Sequence, residues 1–350
     1  MNKKIKTLLK MLILALGLLG LFIVITKKTK PEEIKDAETI YDFAMGTSVT
    51  IKLYGVEDEE AYAGDIVTRI NDISDNLISW RVEESQLYDL NNNYKTGEKF
   101  AISDELNEIL SMSYKICKDS DGALDITIRP LANLWGIEDA TADTFSIPDF
   151  QDIVDMVPEI GYENITLTNG GVILNKDDML LDFGATGKGY ALDVIREEYI
   201  KDKVDGAIIT IGGSVLVYGE KYNGKDWNIG IRDPFGEEGD MIGYLSFASG
   251  TNMCISTSGD YEKYIEKDGI KYHHIFDRVT GYPASAGLAS VTVVCENGLA
   301  SDGLSTACFV MGYDSSLPLL EKYKAEAVFV LTSGEIIVTD GLKDNFSEDE

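Results

Sequence analysis

The stretch from Cys254 to Met311 gathers residues whose types and spacing could do chemistry. It holds the run Ser256-Thr257-Ser258-Gly259-Asp260-Tyr261 and both histidines of the 350-residue chain, His273 and His274. Asp277, the turn pair Thr280-Gly281 and Ser301-Asp302-Gly303-Leu304-Ser305-Thr306 follow. Two adjacent histidines in a polar, loop-like setting concentrate the chain's neutral-pH proton chemistry at one place. Asp302 and Thr306 stand four apart on an expected helix and offer hard oxygen ligands on one face. Carboxylate and hydroxyl oxygens suit a Mg²⁺-like ion that keeps waters and shares substrate phosphates. The residues read as half of a metal-dependent phosphoryl-transfer site.

The second half lies upstream, at Asp182-Phe183-Gly184-Ala185-Thr186-Gly187-Lys188-Gly189-Tyr190. A strand, a Gly-rich turn and a helix opening at Lys188 have anion-cradling geometry, in which free amides, a helix dipole and a cation converge; by itself the turn also reads as a plain tight turn. The Walker pattern and the dinucleotide fingerprint are both absent from it.

The elements that must position these residues follow from patterning. Val49 to Tyr54 alternates with β-branched residues and predicts a strand. Glu59 to Leu77 and Asp104 to Lys118 have helical spacing, and Val172–Leu174 with Met179–Leu181 predicts a hairpin. Further strands are expected at Ala207–Ile211, Trp227–Ile231, Leu288–Cys295, Ala327–Leu331 and Glu335–Val338. A helix is expected from Leu299 to Met311, stopped by Gly312, with Ala300, Leu304 and Cys308 as its apolar stripe. Strands and helices do not alternate regularly, so the fold class expected is α+β with largely antiparallel sheet.

Composition excludes some functions. With 31 basic and 60 acidic residues the net charge is −29, which argues against nucleic acid, whose phosphates need a basic face. The four cysteines form no C-x-x-C pair, hence no zinc knuckle or thioredoxin motif. Lys3, Lys4, Lys6 and Lys10 precede an apolar run from Met11 to Ile25, lengthened by Leu8 and Leu9 towards the lower limit of a membrane span. Ile25-Thr26-Lys27-Lys28 makes a poor cleavage site. Residues 1–28 are therefore expected to be an uncleaved signal anchor in the cell membrane, with the rest of the chain outside the cytoplasm. Residues 29–38 read as a linker, 39–342 as the catalytic domain and 343–350 as a frayed acidic tail.

Taken together and in order, the motifs resemble the ApbE family of FAD:protein FMN transferases, from about Thr39 to Leu342. The matching pieces include Met45-Gly46-Thr47, Ser79-Trp80-Arg81, Gly122 to Asp125, Leu134-Trp135-Gly136, Asp182 to Tyr190 and Gly212-Gly213. Trp227 to Pro234, Thr257 to Tyr261, His274 to Asp277 and Asp302 to Thr306 complete them. The resemblance implies a two-lobed fold and transfer of the FMN half of FAD, with Mg²⁺, onto a threonine hydroxyl of an acceptor flavoprotein of a respiratory or extracellular electron-transfer type, releasing AMP. It implies a metal held by Asp302, Thr306, the Ala185 carbonyl and Ser305. Met45, Trp80, Ala123, Leu124, Asp125, Asp182, Lys188 and Ile275 would line the FAD pocket. His274 would stand beside the pyrophosphate as general base, with an ordinary histidine pKa near ~6.5, while His273 is expected to be structural.

Four departures from the family pattern stand out. Arg278 and Val279 follow Asp277 where proline is usual, which predicts a less rigid loop. Ser214 replaces an acidic or amide residue, Trp80 stands where tyrosine is common, and no cysteine is present for lipidation. The rival readings are a Mg²⁺-dependent FAD pyrophosphatase, with water in place of threonine, and a membrane-tethered flavin-binding module.

Overall fold

The computed structural model describes residues 36–237 and 239–349. Glu38 onward forms one compact unit. The expected anchor and most of the linker lie outside the described residues. Among the described residues no helix is long and apolar enough to cross a membrane.

Among the described residues eighteen strands follow in chain order. They are β1 (Ile40–Ala44), β2 (Thr47–Tyr54), β3 (Lys99–Ala101), β4 (Ile165–Thr168), β5 (Gly171–Leu174) and β6 (Gly206–Ile211). Next come β7 (Ser214–Gly219), β8 (Trp227–Arg232), β9 (Met241–Phe247), β10 (Thr251–Gly259), β11 (Tyr264–Lys267) and β12 (Ile270–His273). The last are β13 (Phe276–Asp277), β14 (Tyr282–Pro283), β15 (Leu288–Cys295), β16 (Glu326–Leu331), β17 (Ile336–Val338) and β18 (Phe346–Glu348). The α-helices are α1 (Glu59–Asp72), α2 (Gln86–Asn93), α3 (Asp104–Asp119), α4 (Arg129–Trp135), α5 (Phe150–Met156), α6 (Gly187–Ile195), α7 (Gly298–Met311) and α8 (Tyr313–Tyr323).

One eight-stranded sheet, ordered β1-β2-β6-β7-β10-β15-β16-β17, carries the core, and its pairings are antiparallel. The α+β class is as the patterning predicts. Alternation puts Val49, Ile51 and Leu53 of β2 and Ile209 and Ile211 of β6 into the core. Strand β15 is buried along its whole length, as a central strand covered on both faces must be.

Helices α6 and α7 pack against the sheet and against each other at a close crossing. A Cβ on Gly189 would lie 2.0 Å from the Gly298 carbonyl oxygen, and one on Gly298 would lie 2.4 Å from that of Gly189. Only a glycine pair permits this approach, which is what brings Asp302 to the start of α6. The α7 N-terminus is held twice. Asn297 caps the Ala300 amide at 2.7 Å, and the Asp193 carboxylate takes the Gly298 and Leu299 amides at 2.7 and 2.9 Å. These anionic and amide caps satisfy donors that helix geometry otherwise leaves open.

Two expectations need correction. Met179–Leu181 is not a strand; β5 pairs instead with β4 and β3, and the 179–181 segment is held by Asn91, whose side chain brackets the Leu181 amide and carbonyl at 2.9 Å each. The acidic tail is not frayed at Phe346–Glu348, which adds β18 to β9 in a three-stranded sheet ordered β18-β9-β8. Gly243 makes room there, since a Cβ would meet the Phe346 ring at 2.7 Å. The side of α7 opposite its apolar stripe is also largely buried. Ser301, Asp302 and Ser305 are as buried as the apolar stripe.

Candidate active site

Asp302 is the hub. Its Oδ2 accepts the Gly189 amide at 3.0 Å, its Oδ1 accepts the Ser214 hydroxyl at 3.1 Å, and Lys188 Nζ lies 3.5 Å from Oδ1. One turn on, Ser258 Oγ of β10 stands 2.7 Å from Ser305 Oγ and 3.2 Å from Thr306 Oγ1. The Ser305 hydroxyl also reaches back to the Asp302 carbonyl at 2.7 Å. Ala185 lies two residues before α6, partly buried. A carboxylate with four neighbouring hydroxyls is an oxygen-only donor set, which fits a hard divalent cation. With one carboxylate, such a set leaves coordination positions to substrate and water. Among the described residues no three His, Cys, Asp or Glu side chains gather into a metal site of another kind.

The anion cradle differs from its expected form. The Gly184 amide donates to Asp182 Oδ1 at 2.7 Å. The Thr186 and Gly187 amides go to the Phe183 carbonyl, and the Gly189 amide goes to Asp302. The turn's donors therefore hold the turn and the metal-ligand carboxylate in place. The positive charge facing the site comes from Lys188, whose Nζ also donates to the Gly184 carbonyl at 3.2 Å.

Met45 and Gly46 form the two-residue turn between β1 and β2, with φ of 52° and 70°. Positive φ at both positions is a type I′ hairpin turn. Methionine is a strained choice for the first position, at about 1–2 kcal/mol for a left-handed residue with a Cβ. Met45 Cε lies 3.6 Å from where a Gly187 Cβ would be, at the start of α6. Strain held next to a functional helix start is a signal of a site. Leu124 is buried within the core cluster, against Gly303 of α7, and Ala123 packs on that cluster from a partly buried position.

Trp80 and Asp182 belong to a network that sequence reasoning missed. Arg129 is buried, places its Cζ 3.5 Å from the Trp80 ring centroid, and bridges Asp182 Oδ2 at 3.2 Å and Glu138 Oε2 at 2.9 Å. Arg81 approaches the same ring at 4.2 Å from the exposed side chain. An aromatic ligand stacking on Trp80 shares the ring with Arg129 or displaces Arg81. A buried arginine with two carboxylates near an aromatic could have been suspected from the Ile-Arg-Pro sequence, but its partners lie 9 and 53 residues away.

His274 is half-buried, and its Nδ1 lies 3.1 Å from the Lys263 carbonyl oxygen. A carbonyl only accepts, so Nδ1 carries the proton and Nε2 keeps its lone pair. Burial, then the Lys263 charge, pulls the imidazole down to about 4. His273 instead is buried in β12, donating through Nε2 to the Ala284 carbonyl at 3.0 Å and accepting the Ile275 amide at Nδ1. That is a structural role. Ile275 is buried, and its carbonyl takes the Ala284 amide.

Asp125 is fully engaged. It accepts from the Thr127 amide and hydroxyl, the Tyr162 amide and Arg278 Nη1, the last at 2.9 Å. Burial pushes its carboxyl up, with the Thr127 and Tyr162 bonds and Arg278 opposing. Arg278 also pairs with Glu163 through two nitrogens, at 2.9 and 2.7 Å. The loop expected to be less rigid for want of proline is thus clamped by the arginine that replaces it. Glu262 and Lys263 join the two halves of the site. Lys263 holds His274, while the Glu262 carboxyl is pushed up by desolvation, eased by Lys188 and raised further by Asp302.

The fold and this carboxylate–hydroxyl–lysine cluster define an α+β protein with a site suited to a hard cation and phosphate oxygens. Residues 45–329 match the ApbE family, and the chain belongs to it. A FAD:protein FMN transferase of Klebsiella pneumoniae is 31% identical over 87% of this chain and 92% of its own length. One from Vibrio cholerae is 28% identical over 83% of this chain and 86% of its own. The crystal structure of the ApbE protein of Thermotoga maritima superposes with a TM-score of 0.78, 31% identity, 90% of this chain and all of that one. The flavinyl transferase ApbE of Pseudomonas stutzeri, apo form, gives 0.76 and 27%, over 90% of this chain and 99% of its own.

Proposed function

We propose that this protein transfers the FMN moiety of FAD to a threonine hydroxyl of an acceptor flavoprotein and releases AMP. The observation that carries this reading is the oxygen cluster of Asp302, Thr306 and Ser305 with Lys188 Nζ 3.5 Å from Asp302, in a family whose relatives are named for this reaction. Asp302, Thr306, Ser305 and the Ala185 carbonyl would hold Mg²⁺, which when bound neutralises charge on pyrophosphate oxygens.

In the step itself, the threonine oxygen attacks the FMN-side phosphorus and the bond to the bridging oxygen breaks. AMP leaves with that oxygen, and the hydroxyl proton passes to His274 Nε2. Lys188 supplies fixed positive charge at the phosphates in an otherwise acidic protein. The Lys263 carbonyl keeps His274 in the tautomer that can accept. Met45, Trp80, Ala123, Leu124, Asp182 and Ile275 shape the pocket for the rest of FAD. Asp125 acts through Arg278 as a brace for the histidine loop.

The test is incubation with FAD, Mg²⁺ and a flavin-free acceptor, followed by mass spectrometry of protein and nucleotide. Acceptor gaining one FMN with matching AMP is the expected result. FMN and AMP free in solution, with the acceptor unmodified, would make the protein a pyrophosphatase. Unchanged FAD would leave only a flavin-binding module.

A further inference from the structure

Three stretches that carry the family resemblance contribute nothing to the expected FAD and metal set: Gly212-Gly213, Trp227 to Pro234 and Thr257 to Tyr261. In the fold they meet around one cavity of about 420 Å³, between the face of the large sheet and strand β8. One wall presents Thr210, Thr257 and Thr292 from β6, β10 and β15, with Thr257 and Thr292 hydroxyls 2.9 Å apart. The other wall is made by five consecutive residues of β8, Asn228 to Arg232.

Side chains of a strand alternate between faces, so five successive residues border one space only if the space runs along the strand's edge. Among the described residues β8 has a neighbour, β9, on one side only. Its other edge therefore turns a row of backbone donors and acceptors to the cavity. Such a row recognises another extended backbone.

The cavity adjoins the oxygen cluster, because Ser214, the residue after its lining residue Gly213, donates to Asp302 Oδ1 at 3.1 Å. It is bordered by the Gly212-Gly213 turn, Arg232, Tyr261 and Glu262. The Arg232 guanidinium lies over the Tyr261 ring at 4.9 Å, and Glu262 Oε1 lies 3.1 Å from where a Gly213 Cβ would be. The turn itself has room only for glycine, since a Cβ on Gly212 would likewise meet Thr47 Oγ1 at 2.8 Å. A nucleotide phosphate entering here would meet the Glu262 carboxylate, whereas a neutral extended peptide with small side chains meets hydroxyls, amides and one charge of each sign.

We propose that this cavity seats the protein substrate: an extended segment of the acceptor pairs with the free edge of β8 and crosses the Gly212-Gly213 turn to present its threonine at the Lys188–Asp302 site. The proposal rests on the transferase reading above and names the partner surface for it. None of the residues expected to line the FAD pocket borders this cavity, so acceptor and nucleotide are expected to bind independently.

The experiment fills the cavity from the sheet side with Thr210→Trp and, separately, Val215→Trp. The probe is the flavin-free protein acceptor of the Vibrio cholerae relative. The expected result is an acceptor KM raised at least about tenfold, with FAD affinity and the water reaction to FMN and AMP unchanged. Hydrogen exchange on the unsubstituted protein provides a second readout that needs no variant to fold. Saturating acceptor should slow the 228–232 amides. Unchanged KM in folded variants, or no protection of β8, overturns the proposal. A parallel loss of FAD affinity overturns it too, because the cavity is then a nucleotide subsite. If the parent modifies no acceptor while the Vibrio enzyme does so in the same mixture, the transferase reading falls first, and the proposal with it.

Discussion

The Gly189 amide donates to Asp302 Oδ2 at 3.0 Å, so the start of one helix is spent on orienting a carboxylate of another. A helix N-terminus favours an anion, and here the anion is part of the protein. The cost of burying Asp302 is offset by that amide, the Ser214 hydroxyl and the nearby Lys188. The carboxylate is thereby fixed before substrate arrives.

Replacing the carboxylate should separate binding from chemistry. Asp302→Ala should abolish FMN transfer while FAD binding weakens less, because the charge it manages develops mainly during transfer. Isothermal titration with FAD and a mass-spectrometric transfer assay check the two halves. Full turnover of the parent in excess EDTA would sink the metal assignment.

The close crossing of α6 and α7 gives a second expectation. In Gly189→Ala the new Cβ would fall 2.0 Å from the Gly298 carbonyl oxygen, so the helices must part and Asp302 must move with α7. Overpacking of this kind costs about 1–3 kcal/mol. Thermal melting should register that loss, and transfer should fall further than the unfolded fraction accounts for. A variant with parental activity at its reduced melting temperature would show that the crossing does not set the site.

Arg278 should prove to be a stability residue. Asp125 is almost fully buried and Arg278 is its cationic partner at 2.9 Å. Removing one member of a buried pair leaves an uncompensated charge, at about 3–5 kcal/mol. Arg278→Ala should therefore lower the urea midpoint strongly, and Asp125→Asn in the same chain should restore part of it. Equal midpoints for parent and Arg278→Ala would mean that the Thr127 and Tyr162 donors satisfy the buried Asp125 carboxylate without the pair.

The elements were legible where a short pattern decides them. Asp302 and Thr306 could be placed on one helix because four-residue spacing is local, and β6 and β15 because continuous apolar runs mark central strands. Partnerships between distant residues were not legible. Nothing near Arg129 names Trp80 or Asp182 as its partners, and nothing near Ser214 or Ser258 assigns them to the α7 cluster. The tail misled for a related reason. Its acidity reads as disorder, yet β9 offers an edge and Gly243 a space for Phe346. Arg278 misled in the other direction, since losing proline reads as flexibility until Asp125 and Glu163 are seen to hold it.

The N-terminal segment makes a prediction independent of the site. We propose that Leu8 to Ile25 anchors the protein in the cell membrane with the catalytic domain outside the cytoplasm. The full chain should then sediment with membranes and resist salt extraction, because apolar burial and not surface charge retains it. A soluble mature form beginning near residue 27 would identify the segment as a cleaved signal.

The pH dependence of transfer tests His274 most directly. Its imidazole lies at about 4 in the free protein, lowered by burial and then by Lys263. Only the neutral ring accepts a proton, so the active fraction is lost as pH falls through that value and is complete above it. The kcat/KM profile, which reports the free enzyme, should be flat from neutral pH down to about 5 and fall below, with no limb near an ordinary histidine value. Bound FAD brings pyrophosphate charge towards the ring and favours imidazolium, so the kcat limb should sit at higher pH than the kcat/KM limb. His274→Ala should bind FAD nearly as well as the parent, transfer about 10²–10⁴-fold more slowly and lose both limbs. Water is small and needs no fixed partner, so hydrolysis of FAD should fall less. Parental transfer by His274→Ala would return the histidine to a structural role, with Asp277 the next base to test. Loss of FAD binding in the same variant would make it a pocket residue. A base requires retained binding, lost transfer and lost pH dependence in one preparation.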